Sequence, residues 1–337
     1  PENACLTMTD DVPASLAEVG MAEQPLVDAL NAIQRGNYNE IHGLVIVKNG
    51  RLVLETYGRG RMYDGSDDMF TPIMDFNRDT LHIVHSVSKS LMSTLAGIAI
   101  RDGFIADENQ SVLDFFPDRE GIDNIDDRKR AMTLEDLLTM RSGTDYHERG
   151  PGSPHFQLND LSRGWTEFVL SRPMVADPGT VYQYDSGGVI LMSAILKSRT
   201  GEHADAWLEQ HLFAPLGITR SNWYRNAEGH PHTGGGLALS SRDMAKFGLL
   251  YLRQGRWEDR QVVPASWVEA SFTRHVEFPP GGHPFAGYGY LWWLLDGGGY
   301  AARGRGGRSG AGRPGRLHGA QAVGPRRRCR SPGGLSA

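Results

Sequence analysis

Cysteine is almost missing from this sequence: Cys5 and Cys329 are its two, near opposite ends of 337 residues. With neither a metal-ligand spacing nor a set of pairs between them, they exclude a disulfide framework. No apolar run approaches the roughly 18 residues that a bilayer span requires, so no membrane partner is expected. Lysine is scarce as well, five against thirty arginines. Asp and Glu vanish from residues 301–337, a stretch that holds nine Arg and ten Gly. The first 300 residues therefore carry 26 basic against 40 acidic side chains, a balance of −14. So acidic a body is a poor partner for nucleic acid. Pro1, Glu2, Asp10 and Asp11 open the chain without a basic-then-apolar leader. The expectation is a cytoplasmic protein or the mature form of an exported one.

Apolar residues make up 39% of the chain, with seven Trp, eleven Tyr and twelve Phe, which excludes wholesale disorder and allows a large core. At this length an α/β body with an inserted lobe is expected. His42–Lys48 and Arg51–Tyr57 are β-rich runs joined by Asn49-Gly50, a strong hairpin signal. Helical patterns run over 24–35, 162–172, 187–200 and 203–213, and Thr133-Leu-Glu-Asp136 has the form of a capping box. A second box at Ser240–Asp243 opens a helix to Arg253, Pro264–Phe272 forms another, and Tyr288–Leu295 reads as an aromatic strand. The expected architecture is α/β (α+β): one antiparallel sheet flanked by helices, with an inserted, mostly helical lobe. Its parts are 1–104 (hairpin and central helix), 105–233 (helical lobe), 234–300 (the rest of the α/β domain) and 301–337 (an atypical tail).

The chemistry centres on Ser86-Val-Ser-Lys89. The helix it opens carries Leu91, Met92, Leu95, Ile98 and Ile100 with Ser90, Ser93, Thr94, Ala96, Gly97 and Ala99 between them, so it is apolar or small nearly all round and should be buried. Ser86 and Lys89 share one face, one turn apart. A serine at a helix start is ordinarily an N-cap. Here, however, it stands beside a lysine that burial must desolvate, and a buried amine next to a hydroxyl is equipped to accept its proton. A hundred residues on, Asp177–Gly188 places Tyr182 and Tyr184 after a Pro178-Gly179 turn, and Gly187-Gly188 signals a close backbone approach. His82 and His85 invite a Ser-His-Asp reading, but a histidine adjacent to the nucleophile points away from it, and no Gly-x-Ser-x-Gly elbow surrounds Ser86. His203, His211, His230 and His232 lack a zinc spacing, so neither metal nor cofactor is expected.

Ser86-Val-Ser-Lys89, Tyr184-Asp-Ser186 and Leu137-Leu-Thr-Met-Arg-Ser-Gly143 together resemble the serine β-lactamase and penicillin-binding-protein-like superfamily. The resemblance is to the branch of class C-type β-lactamases, carboxylesterases of β-lactamase fold and 6-aminohexanoate-oligomer hydrolases. It runs from about His42 to Gly304, with Pro178-Gly179, Leu212–Gly217 and Arg242–Gly248 in the expected order. It implies that Ser86 is the acylated nucleophile, that Lys89 accepts or relays its proton, and that Tyr184 is the general base and later the donor to the leaving group. The backbone N–H of Ser86 would supply half of an oxyanion hole, a donor worth about 3 kcal/mol. Ser186 would hydrogen-bond the lysine or the substrate, Asp185 would face solvent, and Tyr146, Trp223 and Tyr224 would be pocket walls. The implied activity is hydrolysis of a small-molecule ester or amide through an acyl-enzyme. The alternatives are a β-lactamase or D-alanyl-D-alanine carboxypeptidase, and an inactive binding homologue.

The likeness breaks at the late strand that closes the site. Arg305 stands at its marker position, with Gly307 among the retained glycines. Beyond it only Leu317, Val323 and Leu335 are large aliphatics, too few for the apolar strands and terminal helix with which the family ends. The arginine bias fits GC-rich coding, and a shifted reading frame near Gly304–Arg308 would produce this switch. A nucleic-acid-binding tail is the weaker explanation, because no aromatic residues are interleaved for base stacking.

Overall fold

The helix Val87–Arg101 is the axis of the molecule, and every residue from Val87 to Ala99 is buried, as its all-round apolar and small composition requires. A computed structural model describes residues 14–37, 41–62, 71–117 and 122–304, and the backbone of 321–325. The Ser186–Thr200 helix packs beside the central one, and its residues Ser186–Leu196 are buried too. Both belong to one apolar cluster that also takes in Trp165, Phe213, Phe247, Trp267 and Trp292, so the helical lobe and the α/β body share a core.

The short-range signals give the expected local structures. Gly43–Lys48 and Arg51–Tyr57 pair antiparallel, with Asn49 at φ 53° and Gly50 at φ 78°, the double left-handed geometry of a tight hairpin turn. Thr133 and Asp136 cap one another's backbone at the start of the Leu134–Leu138 helix. Ser240 caps Ser241–Leu252, which packs on the hairpin and ties to it through Arg242 on Glu55 at 2.5 Å.

One expectation is corrected. Tyr288–Leu295 is a tight reversal, in which Gly287–Tyr288 pairs antiparallel with Trp293–Leu294 and Leu291 turns through φ 61°. Tyr290, Leu291 and Trp292 are all buried in that turn, so the run shows the composition of a strand without its alternation. The strands form separate ladders: the hairpin is one, and Val276–Glu277, Gly287–Tyr288, Trp293–Leu294, Gly299–Arg303 and Gln321–Pro325 make a five-stranded meander. Gln321–Pro325, from the atypical tail, pairs with Gly299–Arg303 in register from Gly299↔Pro325 to Arg303↔Gln321. Backbone hydrogen bonding needs no particular side chains, which is why a Gly/Arg-rich sequence can supply it.

Gly97 is where helix packing is closest. A Cβ there would lie 2.3 Å from the ring of Trp267 on the Ala265–Ser271 helix. Replacing a helical glycine by alanine normally gains roughly 0.5–1 kcal/mol, whereas overpacking a core costs about 1–3 kcal/mol. The clash therefore wins, and Gly97→Ala should lower the urea midpoint of unfolding by the equivalent of about 1–2 kcal/mol; an unchanged or raised midpoint would show that Trp267 moves aside freely.

Candidate active site

Ser86 follows a strained turn. The strand His82–Ile83 pairs with Leu237–Leu239, Val84 N–H donates to the Leu237 carbonyl at 2.8 Å, and His85 then adopts φ 47°. A left-handed non-glycine residue costs on the order of 1 kcal/mol and persists only where its surroundings enforce it. The turn delivers Ser86 at the mouth of the central helix, where its φ/ψ of −67°/−2° are already helical and its side chain caps nothing. The ordinary N-cap reading is thereby excluded. Instead, Ser86 Oγ accepts a hydrogen bond from Lys89 Nζ at 3.0 Å.

Lys89 is 1% exposed, and its first turn holds no carboxylate. A bare buried ammonium costs several kcal/mol, so its protons need partners. One goes to Ser86, and another goes to the backbone carbonyl of Gly234. Gly234 can come that close because it has no side chain: a Cβ there would sit 2.9 Å from Ser186 Cβ and 3.3 Å from His232 Cε1. No sequence motif marks Gly234 for this role. The face of the Tyr184 ring stands 4.9 Å from Lys89 Nζ, close enough for cation–π attraction. The three residues expected to act together are thus brought together, from a helix mouth and from the loop before Ser186–Thr200.

That loop is held by the Leu137–Gly143 segment. Gln183 N–H donates to the Met140 carbonyl at 2.9 Å, Gly179 N–H to the Arg141 carbonyl at 2.8 Å, and Ser142 Oγ to the Asp185 carboxylate at 3.0 Å. Asp185 is 3% exposed, which corrects the expectation that it faces solvent. It is the N-cap of Ser186–Thr200, accepting from Gly188 N–H at 2.9 Å. Burial nevertheless dominates and pushes its carboxyl from 3.8 up to about 6.

Ser186, 2% exposed, stands beside Gly234, whereas the lysine's hydrogen bonds run to Ser86 and Gly234. Its backbone N–H donates to Glu148 Oε1 at 3.0 Å, which sets a half-buried carboxylate at the edge of the site. Glu148 lies in no motif, and nothing in the sequence pointed to it.

Tyr146 is fully buried and lies under Gly187, where a Cβ would meet its ring at 2.7 Å; the glycine pair accommodates this aromatic ring. Trp223, 8% exposed, is in a short strand beside Leu237–Leu239, while Tyr224 stands out at 60%. His82 Nδ1 faces His42 Nδ1 at 3.3 Å, and burial pushes its pKa down to about 4, so it is neutral and structural. Arg305 and Gly307 lie outside the described residues. Just before them, Gly304 runs so close to the nucleophile turn that a Cβ would overlap the Val84 carbonyl and come within 3.0 Å of Ser86 N. The late strand therefore ends against the Ser86 backbone.

Comparison with known proteins agrees with this geometry. The Beta-lactamase family matches residues 31–323. The 6-aminohexanoate-dimer hydrolase of Paenarthrobacter ureafaciens is 29% identical over 239 residues, 65% of this chain and 59% of that one. Lovastatin esterase of Penicillium rubens is 30% identical over 141 residues, 40% of this chain and 32% of that one. The chain thus spans less than two thirds of these relatives. Among solved structures, EstCE1, a hydrolase with promiscuous acyltransferase activity, superposes with a TM-score of 0.64 at 18% identity, covering 81% of this chain and 84% of that one. At that identity the likeness shows the fold.

The buried cap yields a pH test. Folded, Asp185 keeps its proton to about pH 6, while the unfolded chain loses it near 3.8. Between these values the native state binds more protons, so this group's contribution to stability falls as pH rises. Asparagine caps about as well as aspartate and does not ionise. Wild type should therefore lose about 1–3 kcal/mol more than Asp185→Asn between pH 4 and pH 7 in urea unfolding; parallel losses would show that the carboxylate is solvated or fully compensated.

Proposed function

The chain belongs to the Beta-lactamase family, and from that premise we propose that it is a serine hydrolase that cleaves an ester or amide through an acyl-enzyme on Ser86. The observation that carries this reading is the 3.0 Å hydrogen bond between Lys89 Nζ and an Ser86 Oγ that caps no helix. A serine hydroxyl is a weak nucleophile until a neighbouring group takes its proton.

In this proposal the chemistry runs in two halves. Ser86 Oγ attacks the substrate carbonyl and gives its proton to the lone pair of Lys89 Nζ, acting as the free amine; Lys89 then hands a proton to Tyr184 Oη as the Tyr184 O–H proton leaves. Charge develops on the carbonyl oxygen, and in this reading the backbone N–H of Ser86, at the positive end of the central helix, meets it. Lys89 stays anchored by the Gly234 carbonyl while its bond to Ser86 changes partner. Tyr184 returns the proton to the departing alcohol or amine, and water then attacks the acyl group under the same pair. Microscopic reversibility makes the second half the mirror of the first. The Glu55–Arg242 tie and the Asp185 cap act at a distance by fixing the scaffold.

Support from relatives is of the same kind. One is named a 6-aminohexanoate-dimer hydrolase and another a lovastatin esterase, and hydrolysis at an acyl carbon bound to O or N is the chemistry proposed for this chain.

Incubation with a fluorophosphonate, followed by intact mass and peptide mapping, should place one adduct on Ser86 and none in Ser86→Ala. Lys89→Ala and Tyr184→Phe should each lower kcat/KM for p-nitrophenyl acetate by about a thousandfold or more while leaving the fold intact. Labelling at another residue, or full turnover in either variant, would overturn the assignment.

A further inference from the structure

The catalytic tyrosine is the first layer of an aromatic stack. Trp293 lies nearly parallel to Tyr184, with centroids 5.9 Å apart and planes at 17°. His283 lies on Trp293 at 5.3 Å and 14°. Phe278 flanks both, 4.2 Å from His283 and 6.2 Å from Trp293. Each of these four rings is only half-buried, so the stack turns a row of ring edges to solvent that begins at the tyrosine. Elsewhere in the core, aromatic rings such as Trp292 and Tyr251 close on one another and leave nothing to solvent.

We propose that the Tyr184–Trp293–His283–Phe278 ledge is the subsite for the departing half of the substrate, and that it selects an alcohol or amine bearing a planar aryl group. This rests on the hydrolase reading above, in which Tyr184 is the group that protonates the leaving group. Whatever departs must therefore stand beside Tyr184, and the surface continuous with Tyr184 is this ledge. Aromatic rings pack edge to face as well as offset, and a row of half-exposed ring edges can take the face of a further ring. His283 suits the role because burial and the nearby Arg303 favour its neutral ring, whose Nδ1 is engaged by Phe285 N–H at 3.3 Å.

Trp293 is a poor probe, since truncating it would also release Tyr184. His283 touches the ledge but not the tyrosine. The test compares benzyl acetate with ethyl acetate, two esters that share an acyl group and differ in the leaving group. His283→Ala should lower the benzyl-to-ethyl ratio of kcat/KM by about tenfold, and His283→Phe, which keeps a ring but loses the bond to Phe285 N–H, should restore most of it. An unchanged ratio in His283→Ala, with a circular dichroism melting curve like the wild type's, overturns the proposal. So does a variant that instead changes the ratio of phenylacetyl to acetyl p-nitrophenyl esters, because that places the ledge on the acyl side. Binding is read separately by saturation-transfer NMR of benzyl alcohol, whose signal should be present with wild type and absent with His283→Ala. No transfer in wild type overturns the ledge. Transfer that behaves as expected in a protein that neither turns over esters nor labels at Ser86 overturns the hydrolase reading instead and leaves the aryl site standing.

Discussion

A single buried amine organises this molecule. Lys89 is carried into the interior by a helix that has no polar face, and the cost of taking its amine out of water is offset by the Ser86 hydroxyl, the Gly234 carbonyl and the face of the Tyr184 ring. Losing either hydrogen-bond partner would leave the amine with one hydrogen bond in a nearly dry setting. The position of residue 234 is thus as firmly required as that of residue 86, although only one of them has a reactive side chain. Glycine at 234 follows directly, because any side chain would drive that carbonyl away from the lysine.

The same requirement extends outward through the structure. The Ser86 turn is pinned by the Leu237–Leu239 strand and holds His85 in a left-handed conformation that an unconstrained chain would leave. Gly304 lies against that turn at a distance that only glycine permits, so the late strand is fixed to the nucleophile rather than loosely appended. On the other side, the Leu137–Gly143 segment bonds to the loop of Tyr184 through backbone groups and through Ser142 on Asp185. That segment has no chemistry of its own. Its value is the placement of a phenol from one lobe against an amine from the other.

Asp185 shows a conflict resolved in favour of geometry. A cap at a helix N-terminus is stabilised as an anion by the dipole and by Gly188 N–H, yet full burial disfavours the charge more strongly. The protein retains an electrostatically costly residue one position from the tyrosine because the cap fixes where Ser186–Thr200 begins, and with it the entry of the loop.

Much was legible in the chain itself, wherever the determinant was local. Asn49-Gly50 specified a hairpin, Thr133-x-x-Asp136 a cap, and the small and apolar faces of 87–100 a buried helix, since each depends on residues within a few positions of one another. The serine–lysine–tyrosine set could be named for the same reason, through short motifs in a fixed order. What the sequence could not show is which groups from distant segments meet: the Gly234 carbonyl on Lys89, Glu148 on the Ser186 N–H, Trp293 on Tyr184, and the reversal at Leu291 inside a run with the composition of a strand. These are long-range contacts between backbone groups and rings common to any core, and their partners are chosen by packing. The linear chain determined the reagents; only the tertiary structure decided their distances, because a hydrogen bond or a stacked ring exists at a separation and not at a sequence position.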